Sequence, residues 1–330
     1  MKRAVLTGGT GFVGASLARR LLREGHEVHL LVRAEHARWR IADLADDLRL
    51  HVVDLTDQAA LDAAISRIRP DWVFHLAAYG AYSWQTDLDQ MLQTNLHGTV
   101  NLVRACLRHG CEAFVNTGSS SEYGCKDHPP AEAELVEPNS HYAVTKAAAT
   151  LFCRYTAQSA GLRLPTLRLY SVYGPWEEPN RLVPTLIVRG LQGRLPPLVN
   201  PAVARDFVYV EDVNDAYLLA ASRPEQEPGA VYNVGSGVQT TIREAVEVAR
   251  RVLGIPEEPA WGTMPDRGWD TRVWVSDIRK IHQALGWAPR HDFEAGFRQF
   301  AAWLQAHSTL RAFYEERIGP PQPQADASLT

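Results

Sequence analysis

Cysteine is scarce in this sequence, and its spacing excludes two classes of small protein. The 330 residues include four cysteines, Cys106, Cys111, Cys125 and Cys153, and none of them forms a Cys-x-x-Cys pair. This pattern argues against a disulfide scaffold and against a metal site. It favours reduced thiols in a cytoplasmic protein.

Long hydrophobic runs and a strong net charge are missing as well. Hydrophobic residues make up 45% of the chain, charged residues 22%, and the net charge is -4. The first apolar run ends at Gly8-Gly9, which makes it too short for a signal peptide or a membrane span. We therefore expect a soluble globular protein of one large or two modest domains, with no nucleic-acid or membrane partner.

A glycine-rich turn follows the first apolar run. Residues 3–7 (RAVLT) are typical of a buried parallel strand, and a helical pattern begins after the glycines. Gly8, Gly11 and Gly14 would let the backbone turn tightly and approach a pyrophosphate at the helix N-terminus. The spacing is GxxGxxG, and its place between a strand and a helix predicts a dinucleotide site.

The residues after the second predicted strand, 27–32, bear on the choice of cofactor. In dinucleotide folds an acid at this point accepts from the ribose of NAD, whereas an arginine pairs with the 2′-phosphate of NADP. Arg33 stands here, with Arg38 and Arg40 shortly after it. We expect NADP, and Glu35 keeps NAD open as the alternative.

Strands and helices alternate through the next 140 residues. The patterns predict a doubly wound parallel sheet of the Rossmann type, followed by a smaller, loop-rich C-terminal substrate domain. The predicted strands are 3–7, 27–32, 49–53, 72–76, 113–116 and 164–169, and the predicted helices include 57–68, 88–108 and 140–160. We expect the first domain to span 1–175 with returning segments near 205–235, the second 176–318, and a disordered tail to follow at 319–330.

Tyr142 and Lys146 stand four residues apart in the predicted helix 140–160. They would share one face, one turn from each other. A free phenol titrates near pH ~10, and a nearby ammonium would lower that pKa and suit the phenol to proton transfer. The same spacing also fits an aromatic residue packed on the core beside a solvated lysine.

Seven motifs together resemble the extended short-chain dehydrogenase/reductase family, in its nucleotide-sugar epimerase/dehydratase/reductase branch. The resemblance covers roughly residues 3–290. The motifs are TGGTGFVG (7–14), HLAA (75–78), TNLHGTVNL (94–102), GSSSEYG (118–124), YAVTK (142–146), LRLYSVYGP (167–175) and RDFVYVEDV (205–213).

The resemblance implies roles for individual residues. Tyr142 would be the acid–base, Lys146 would hold the nicotinamide ribose, and Ser119 would donate to the reacting oxygen, with Ser120 as the fallback. Asn95 would steady the active-site backbone. The other residues expected to contact the cofactor are Gly8, Gly11, Phe12, Val13, Gly14, Arg33, Asp54, Leu55, Ala77, Ala78, Thr117 and Tyr170.

The chain departs from the 4,6-dehydratases of this family at one informative place. In those enzymes an acid–base pair often follows the catalytic serine or threonine, whereas here the two positions are Ser120 and Ser121. Hydroxyls are poor acids and bases for eliminating water. Glu122 is one place out of register, so we disfavour a dehydratase.

The resemblance also implies where the substrate binds. Arg205 and Arg267 match the two family arginines that meet the diphosphate of a nucleoside-diphosphate sugar, and guanidinium forks suit phosphate oxygens. Two ordinary ion-paired arginines are the alternative. The family commonly pairs its two long helices, here 88–108 and 140–160, into a homodimer.

These observations predict an NADP-dependent reductase of a keto-sugar nucleotide, of the kind used in deoxysugar biosynthesis, with hydride delivered to C4. The alternative is a nucleotide-sugar 4-epimerase with tightly bound NAD, which needs the same three residues. A non-catalytic cofactor-sensing protein is a further reading, which the intact Ser119, Tyr142 and Lys146 set disfavours.

Overall fold

The computed structural model describes residues 1–264 and 271–319 and contains eleven strands within them. Short apolar runs rich in valine, leucine and phenylalanine form the long central strands. The strands are β1 Arg3–Thr7, β2 Glu27–Val32, β3 Leu48–Val52, β4 Trp72–His75, β5 Ala113–Ser119, β6 Thr166–Leu169, β7 Ser171–Tyr173, β8 Ala204–Arg205, β9 Phe207–Tyr209, β10 Val231–Val234 and β11 Thr240–Thr241.

Helices connect the strands. The α-helices are α1 Phe12–Arg23, α2 Gln58–Ile68, α3 Leu88–Met91, α4 Gly98–His109, α5 His141–Ala160, α6 Leu182–Leu191, α7 Val210–Ser222, α8 Ile242–Leu253, α9 Arg279–Leu285, α10 Phe293–Ala306 and α11 Ser308–Ile318. Two 3-10 turns, Ala42–Leu44 and Ser120–Tyr123, and a π-helical turn, Leu92–His97, complete the described helical segments.

Seven strands form one parallel sheet in the order β10-β6-β5-β4-β1-β2-β3. Side chains of each strand alternate between the two faces: Ala4 and Leu6 belong to one buried cluster and Val5 to the other. Helices α1 and α7 cover the first face, and α2, α4 and α5 cover the second. This is the doubly wound Rossmann-type fold that the sequence predicts, and strand order reverses between β1 and β4.

A separate buried cluster lies beyond the sheet. Its apolar side chains come mainly from α6, α8, α10 and α11, with Leu186, Val246 and Phe300 fully buried, and Tyr173 and Phe207 join it from β7 and β9. A chain division at residue 175 remains a prediction. Arg267 and all but the first residue of the predicted 319–330 tail lie outside the described residues.

The predicted helix 88–108 is present as one continuous helical segment, but its middle turn is not regular α-helix. Helix α3 begins at its N-cap Asp87, the chain then passes through the π-helical turn Leu92–His97, and α4 continues to His109. Asn95 lies inside this turn, is fully buried, and its side chain is bonded to Tyr79 outside the helix. None of the helices in residues 1–264 and 271–319 is long and apolar enough to cross a membrane.

Candidate active site

The glycine turn after β1 is shaped by close backbone approach. Gly8 has φ of 69°, and a Cβ at this position would lie 2.6 Å from the carbonyl carbon of Leu76 after β4. A Cβ on Gly14 would overlap the carbonyl oxygen of Gly8. Gly11 is the N-cap of α1, and no side chain of the described residues caps it. The first N–H groups of α1 are therefore available to an anion, as a dinucleotide pyrophosphate requires.

A surface depression lies where β2 and β3 end. Arg33, Ala34, Glu35, Val52 and Asp54 line it. Two hydrogen bonds from Thr56 lower the pKa of Asp54. Arg33 is exposed, and its positive charge lowers that pKa further, by a smaller amount. The depression thus presents an arginine and two acids to any ribose bound beyond the glycine turn.

Arg40 does not belong to this depression, although the sequence places it just downstream of Arg33. Its side chain is buried, and Nε donates to the carbonyl oxygen of Trp176 at 2.7 Å. Nη2 bonds Glu178 at 3.0 Å. Arg40 therefore connects the first half of the chain with the segment after β7.

The edge between β1 and β4 is held by a buried polar chain. The Thr7 hydroxyl bonds His75 Nδ1 at 2.7 Å and accepts from the Ala77 N–H at 3.1 Å. Thr99 bonds His75 Nε2 at 2.8 Å. Burial, with the charge of Lys146 nearby, lowers the pKa of His75 to about 3, so the imidazole is neutral.

Asn95 ties three segments together. Its side chain accepts from the Tyr79 N–H at 2.8 Å and donates to the Tyr79 carbonyl oxygen at 2.8 Å. It also donates to the Thr145 hydroxyl on α5 at 2.9 Å. These contacts fix the loop that follows β4 against the helix that carries Tyr142 and Lys146.

Tyr142 and Lys146 lie in the first two turns of α5, which Ser140 caps through its side chain. The Ser119 side chain at the end of β5 interacts with the Tyr142 phenol, so the structure brings these two residues together. Loss of hydration raises the pKa of Tyr142 to about 12, although the interaction with Ser119 lowers it. The lowered phenol pKa expected from the neighbouring lysine is therefore wrong for the protein alone, because loss of hydration dominates at this position.

Lys146 is 3% exposed. Burial lowers the pKa of its ammonium. Glu122 opposes that effect, and Cys153 opposes it to a smaller extent. The residue is thus nearly enclosed on the same helix face as Tyr142, and it is not a solvated lysine.

The serine-rich segment after β5 forms a capped 3-10 turn. The Ser119 hydroxyl accepts from the Ser121 N–H at 3.2 Å and shares a 2.7 Å bond with the Ser121 hydroxyl. In return, the Glu122 carboxylate accepts from the Ser119 N–H at 2.8 Å. This capping box holds Ser119 in the extended conformation that directs it toward α5.

Glu122 is fully buried. In the sequence it was notable only as an acid one place out of register with the acid–base pair of the dehydratases. Oε1 also accepts from the Thr150 hydroxyl at 3.0 Å, and Oε2 accepts from Arg168 Nε at 2.8 Å. Its carboxylate is committed to these donors and is not free to exchange protons with a substrate. An acidic residue that breaks a run of serines was the one signal in the sequence that could have pointed to it.

A small cavity lies beside the serine-rich segment. Ser120, Tyr123, His128, Tyr170 and Trp274 are among its lining residues. Tyr170 is 7% exposed, and its hydroxyl has no hydrogen-bond partner in the described part of the chain. Such a buried donor is available to a ligand in the cavity.

The remaining predicted contact residues occupy the same edge of the sheet. The Thr117 hydroxyl bonds that of Tyr217 at 2.6 Å, and the Leu55 carbonyl accepts from Asn101 at 3.0 Å. Phe12 and Val13 begin α1 and are partly buried, and Ala78 is exposed after β4.

Arg205 approaches the cavity from β8. Its guanidinium lies 5.9 Å from the ring centroid of Trp274, and Nη1 donates to the Ala204 carbonyl at 2.7 Å. The structure therefore brings Arg205 to the residues that line the cavity. Within residues 1–264 and 271–319, no group of three or more histidine, cysteine or acidic side chains is placed to hold a metal ion.

Two curated relatives match most of this chain. A dTDP-glucose 4,6-dehydratase of Neisseria meningitidis serogroup B is 29% identical over 97% of this chain and 99% of its own. A UDP-glucose 4-epimerase of Mycolicibacterium smegmatis is 31% identical over 87% of this chain and 94% of its own.

Solved structures and a family model agree with these matches. The UDP-glucose 4-epimerase of Thermus thermophilus, solved as a complex with NAD, superposes with a TM-score of 0.79. It is 31% identical, and the match covers 91% of this chain and 98% of that one. A model of the NAD dependent epimerase/dehydratase family matches residues 4–235. With that match across most of the sheet and its helices, the chain belongs to the NAD dependent epimerase/dehydratase family, in the extended branch of the short-chain dehydrogenases/reductases.

Proposed function

We propose that this protein is an NAD(P)-dependent enzyme that epimerises a nucleoside-diphosphate sugar at C4. The observation that carries the proposal is the Ser119–Tyr142 contact with Lys146 one turn further along α5. This set can move a proton to and from one sugar oxygen. The 4-epimerases among the relatives support the choice of reaction.

The glycine turn fits the cofactor that the family name implies. Gly8, Gly11 and Gly14 would hold the pyrophosphate, and Lys146 would hold the nicotinamide ribose. The bound nicotinamide supplies the carbon that accepts a hydride from the sugar and returns it. The remaining chemistry falls to the side chains of this chain.

Proton transfer is the task of Tyr142. Its phenolate takes the proton from the sugar hydroxyl as that carbon is oxidised, and the phenol returns a proton when the ketone is reduced. Ser119 donates a hydrogen bond to the same oxygen and holds it beside the phenol. Arg205 and Arg267 would bind the diphosphate and thereby fix the distance from the nucleotide to the reacting carbon.

The contacts of Glu122 argue against 4,6-dehydration, although dehydratases are among the relatives. Ser120 and Ser121 stand where dehydratases of the family often carry their acid–base pair. The neighbouring carboxylate is sequestered by Thr150 and Arg168. No carboxyl group of this segment is then available to remove a proton next to the ketone.

A reductase of a keto-sugar nucleotide is the second candidate, and Arg33 favours it. Its exposed guanidinium at the end of β2 suits the 2′-phosphate of NADP, the usual donor for reductive biosynthesis. No relative described above is a reductase, and for this reason we place epimerisation first.

One experiment separates the two reactions. The purified protein is analysed for bound nicotinamide and then incubated with UDP-glucose, dTDP-glucose and related sugars without added cofactor. We expect near-stoichiometric NAD and a C4 epimer detectable by NMR. Cofactor-free protein that consumes one NADPH per keto-sugar converted would reverse the ranking, and inactivity in both assays would contradict the proposal.

We also propose that the protein is a homodimer. Helix α5 exposes Val144, Leu151 and Tyr155, spaced by seven and four residues and thus on one face, and α4 exposes Leu107. Tyr155 is 71% exposed. A second copy of this surface would bury these side chains around a two-fold axis.

A further inference from the structure

Asp206 lies between β8 and β9 and is fully buried. Within the described part of the chain its carboxylate accepts five hydrogen bonds, all from neutral donors. Oδ1 accepts from the Ser236 N–H at 2.5 Å and from the Ser236 hydroxyl at 2.7 Å. Oδ2 accepts from the Gly237 N–H at 3.1 Å, and from Ser276 through its N–H at 2.9 Å and its hydroxyl at 2.5 Å. One side chain thus joins three separate segments of the chain.

Two of these segments lead directly to the small cavity. Residues 273–275 line the cavity and come immediately before Ser276. Arg205 comes immediately before Asp206, and its guanidinium lies 5.9 Å from the ring centroid of Trp274. The two ends of this carboxylate network are therefore next to an arginine and a tryptophan that approach each other at the cavity.

The backbone of Asp206 reaches another side of the same cavity. Its carbonyl oxygen accepts from the N–H of Ser171, the residue after Tyr170. The ring of Tyr170 lies 6.4 Å from that of Trp274, and Gln239 Oε1 accepts from the Trp274 N–H at 3.1 Å. Each of these cavity residues is thus within a few positions of Asp206 or of one of its partners. We refer to them together as the cavity wall: Arg205, Tyr170 and residues 273–275.

The surroundings of Asp206 are specific for a carboxylate. A buried carboxylate needs donors that replace its lost hydration, and here both oxygens have them. Each oxygen faces at least one backbone N–H, so a neutral amide would turn its own donor toward another donor in either orientation. A Cβ on Gly235 would overlap Ser276 Oγ and lie 2.6 Å from Asp206 Oδ2, so the glycine makes room for the arrangement.

We propose that Asp206 is a positioning residue of the substrate site: its carboxylate fixes the cavity wall and thereby determines where Arg205 meets the diphosphate of the substrate. It touches neither substrate nor cofactor and acts through the wall. The diphosphate part rests on the proposed function, in which Arg205 binds the nucleotide. The position of the wall can be measured with no ligand present.

The test pairs Asp206→Asn with Asp212→Asn. Asp212 on α7 is 1% exposed, and its carboxylate accepts from the His291 N–H at 3.1 Å and bonds His291 Nδ1 at 2.9 Å. Its carbonyl oxygen accepts from Trp287 Nε1 at 2.8 Å. Neither Asp212 nor its partners line the small cavity. Asp212→Asn is therefore a matched control, because it removes a buried carboxylate that holds a different segment.

Two tryptophans report on the two sites separately. The chain has nine tryptophans, so protein labelled with 5-fluorotryptophan gives nine ¹⁹F signals, and Trp274→Phe and Trp287→Phe identify the two of interest. We expect Asp206→Asn to shift the Trp274 signal and leave that of Trp287 in place, and Asp212→Asn to do the reverse. Thermal unfolding shows whether each variant is folded. If Asp206→Asn does not fold, Ser236→Ala removes one of the five donors and should shift the Trp274 signal by a smaller amount.

Nucleotide binding is the second measurement. UDP and dTDP are titrated into each variant by calorimetry, and the NAD that copurifies is quantified. We expect Asp206→Asn to weaken binding of the diphosphates by about 10- to 100-fold, because a displaced Arg205 loses a charge-assisted contact. The NAD content should stay at the wild-type level. Asp212→Asn should bind the diphosphates like wild type, even where its unfolding temperature is lowered as much.

An unmoved Trp274 signal in folded Asp206→Asn would overturn the proposal. A shifted signal with wild-type affinity for the diphosphates would do the same, since the wall would then move without consequence for binding. An equal loss of affinity in Asp212→Asn would also contradict it, because general destabilisation would be the cause. Wild-type protein that binds neither UDP nor dTDP would contradict the proposed function, whereas the Trp274 signal would still decide whether Asp206 fixes the wall.

Discussion

Replacing Tyr142 by phenylalanine removes one oxygen atom and tests the proposed acid–base directly. The phenol interacts with Ser119, whose hydroxyl keeps a hydrogen-bond partner in the Ser121 hydroxyl at 2.7 Å. A neutral hydrogen bond contributes about 1 kcal/mol to stability, and Ser119 is not left unpaired. We therefore expect the free energy of unfolding to change by no more than about 1 kcal/mol.

The effect on turnover should be far larger. A positioned acid–base contributes about 10²- to 10⁴-fold in rate, which corresponds to roughly 3–5 kcal/mol at ~1.4 kcal/mol per tenfold. The catalytic loss thus exceeds the stability change several-fold, and the two quantities separate a chemical role from a structural one. The measurements are kcat for C4 epimerisation and the midpoint of denaturant unfolding.

Tyr314→Phe is the matched control, because it removes another buried phenol oxygen. The Tyr314 hydroxyl donates to the Glu177 carbonyl at 2.6 Å, in the aromatic cluster around Trp39. This variant should lose about 1 kcal/mol of stability and keep its kcat. A Tyr142→Phe enzyme with half of the wild-type kcat, or one whose kcat falls no further than that of Tyr314→Phe, would refute the reasoning.

Four further changes test other parts of the structure. Arg33→Asp should weaken NADPH binding far more than NADH binding in a titration, and equal wild-type affinities would show that Arg33 does not contact a 2′-phosphate. Gly14→Ala should abolish binding of either cofactor in the same titration, because its Cβ meets the Gly8 carbonyl oxygen. Burial raises the pKa of Glu177 to about 8, so stability should fall as pH rises from about 4.5 to 8, where the folded protein keeps a proton that the unfolded chain has lost. Glu177→Gln should therefore be more stable than wild type at about pH 8 in denaturant unfolding and should lose this advantage near pH 4; an equal difference at both would contradict it. Tyr155→Asp should shift the protein to monomers in analytical ultracentrifugation, and an unchanged sedimentation coefficient would show that this face is not the interface.

Features that depend only on residues close together in the chain were predictable from the sequence. The turn at Gly8 needs a left-handed backbone next to a strand and a helix, and all three signals lie within 20 residues. The i, i+4 pair of Tyr142 and Lys146 likewise needs one helix. The parallel sheet follows from alternation alone, because strands joined by helices have few other arrangements.

Features that depend on burial were not predictable. Glu122 lies in a polar segment that suggests exposure, and its partner Arg168 is 46 residues away. The direction of the Tyr142 pKa was wrong because sequence spacing shows the neighbouring lysine but not the lost hydration. Arg40 follows Arg33 closely in the sequence, yet its side chain is bonded to Trp176, 136 residues further on.

The π-helical turn Leu92–His97 has a consequence for insertions and deletions in this part of the chain. A π turn contains one more residue than an α turn would need, so removing a single residue here could restore a regular helix at little cost to backbone hydrogen bonding. The side chains before and after the deletion would then differ in direction by about 100° from their present relation, since an α-helix has 3.6 residues per turn. Either Asn95 would lose Tyr79 or α4 would lose its packing on α2 and α5. The length of this segment is therefore strictly determined, although the segment is helical throughout and contains no loop.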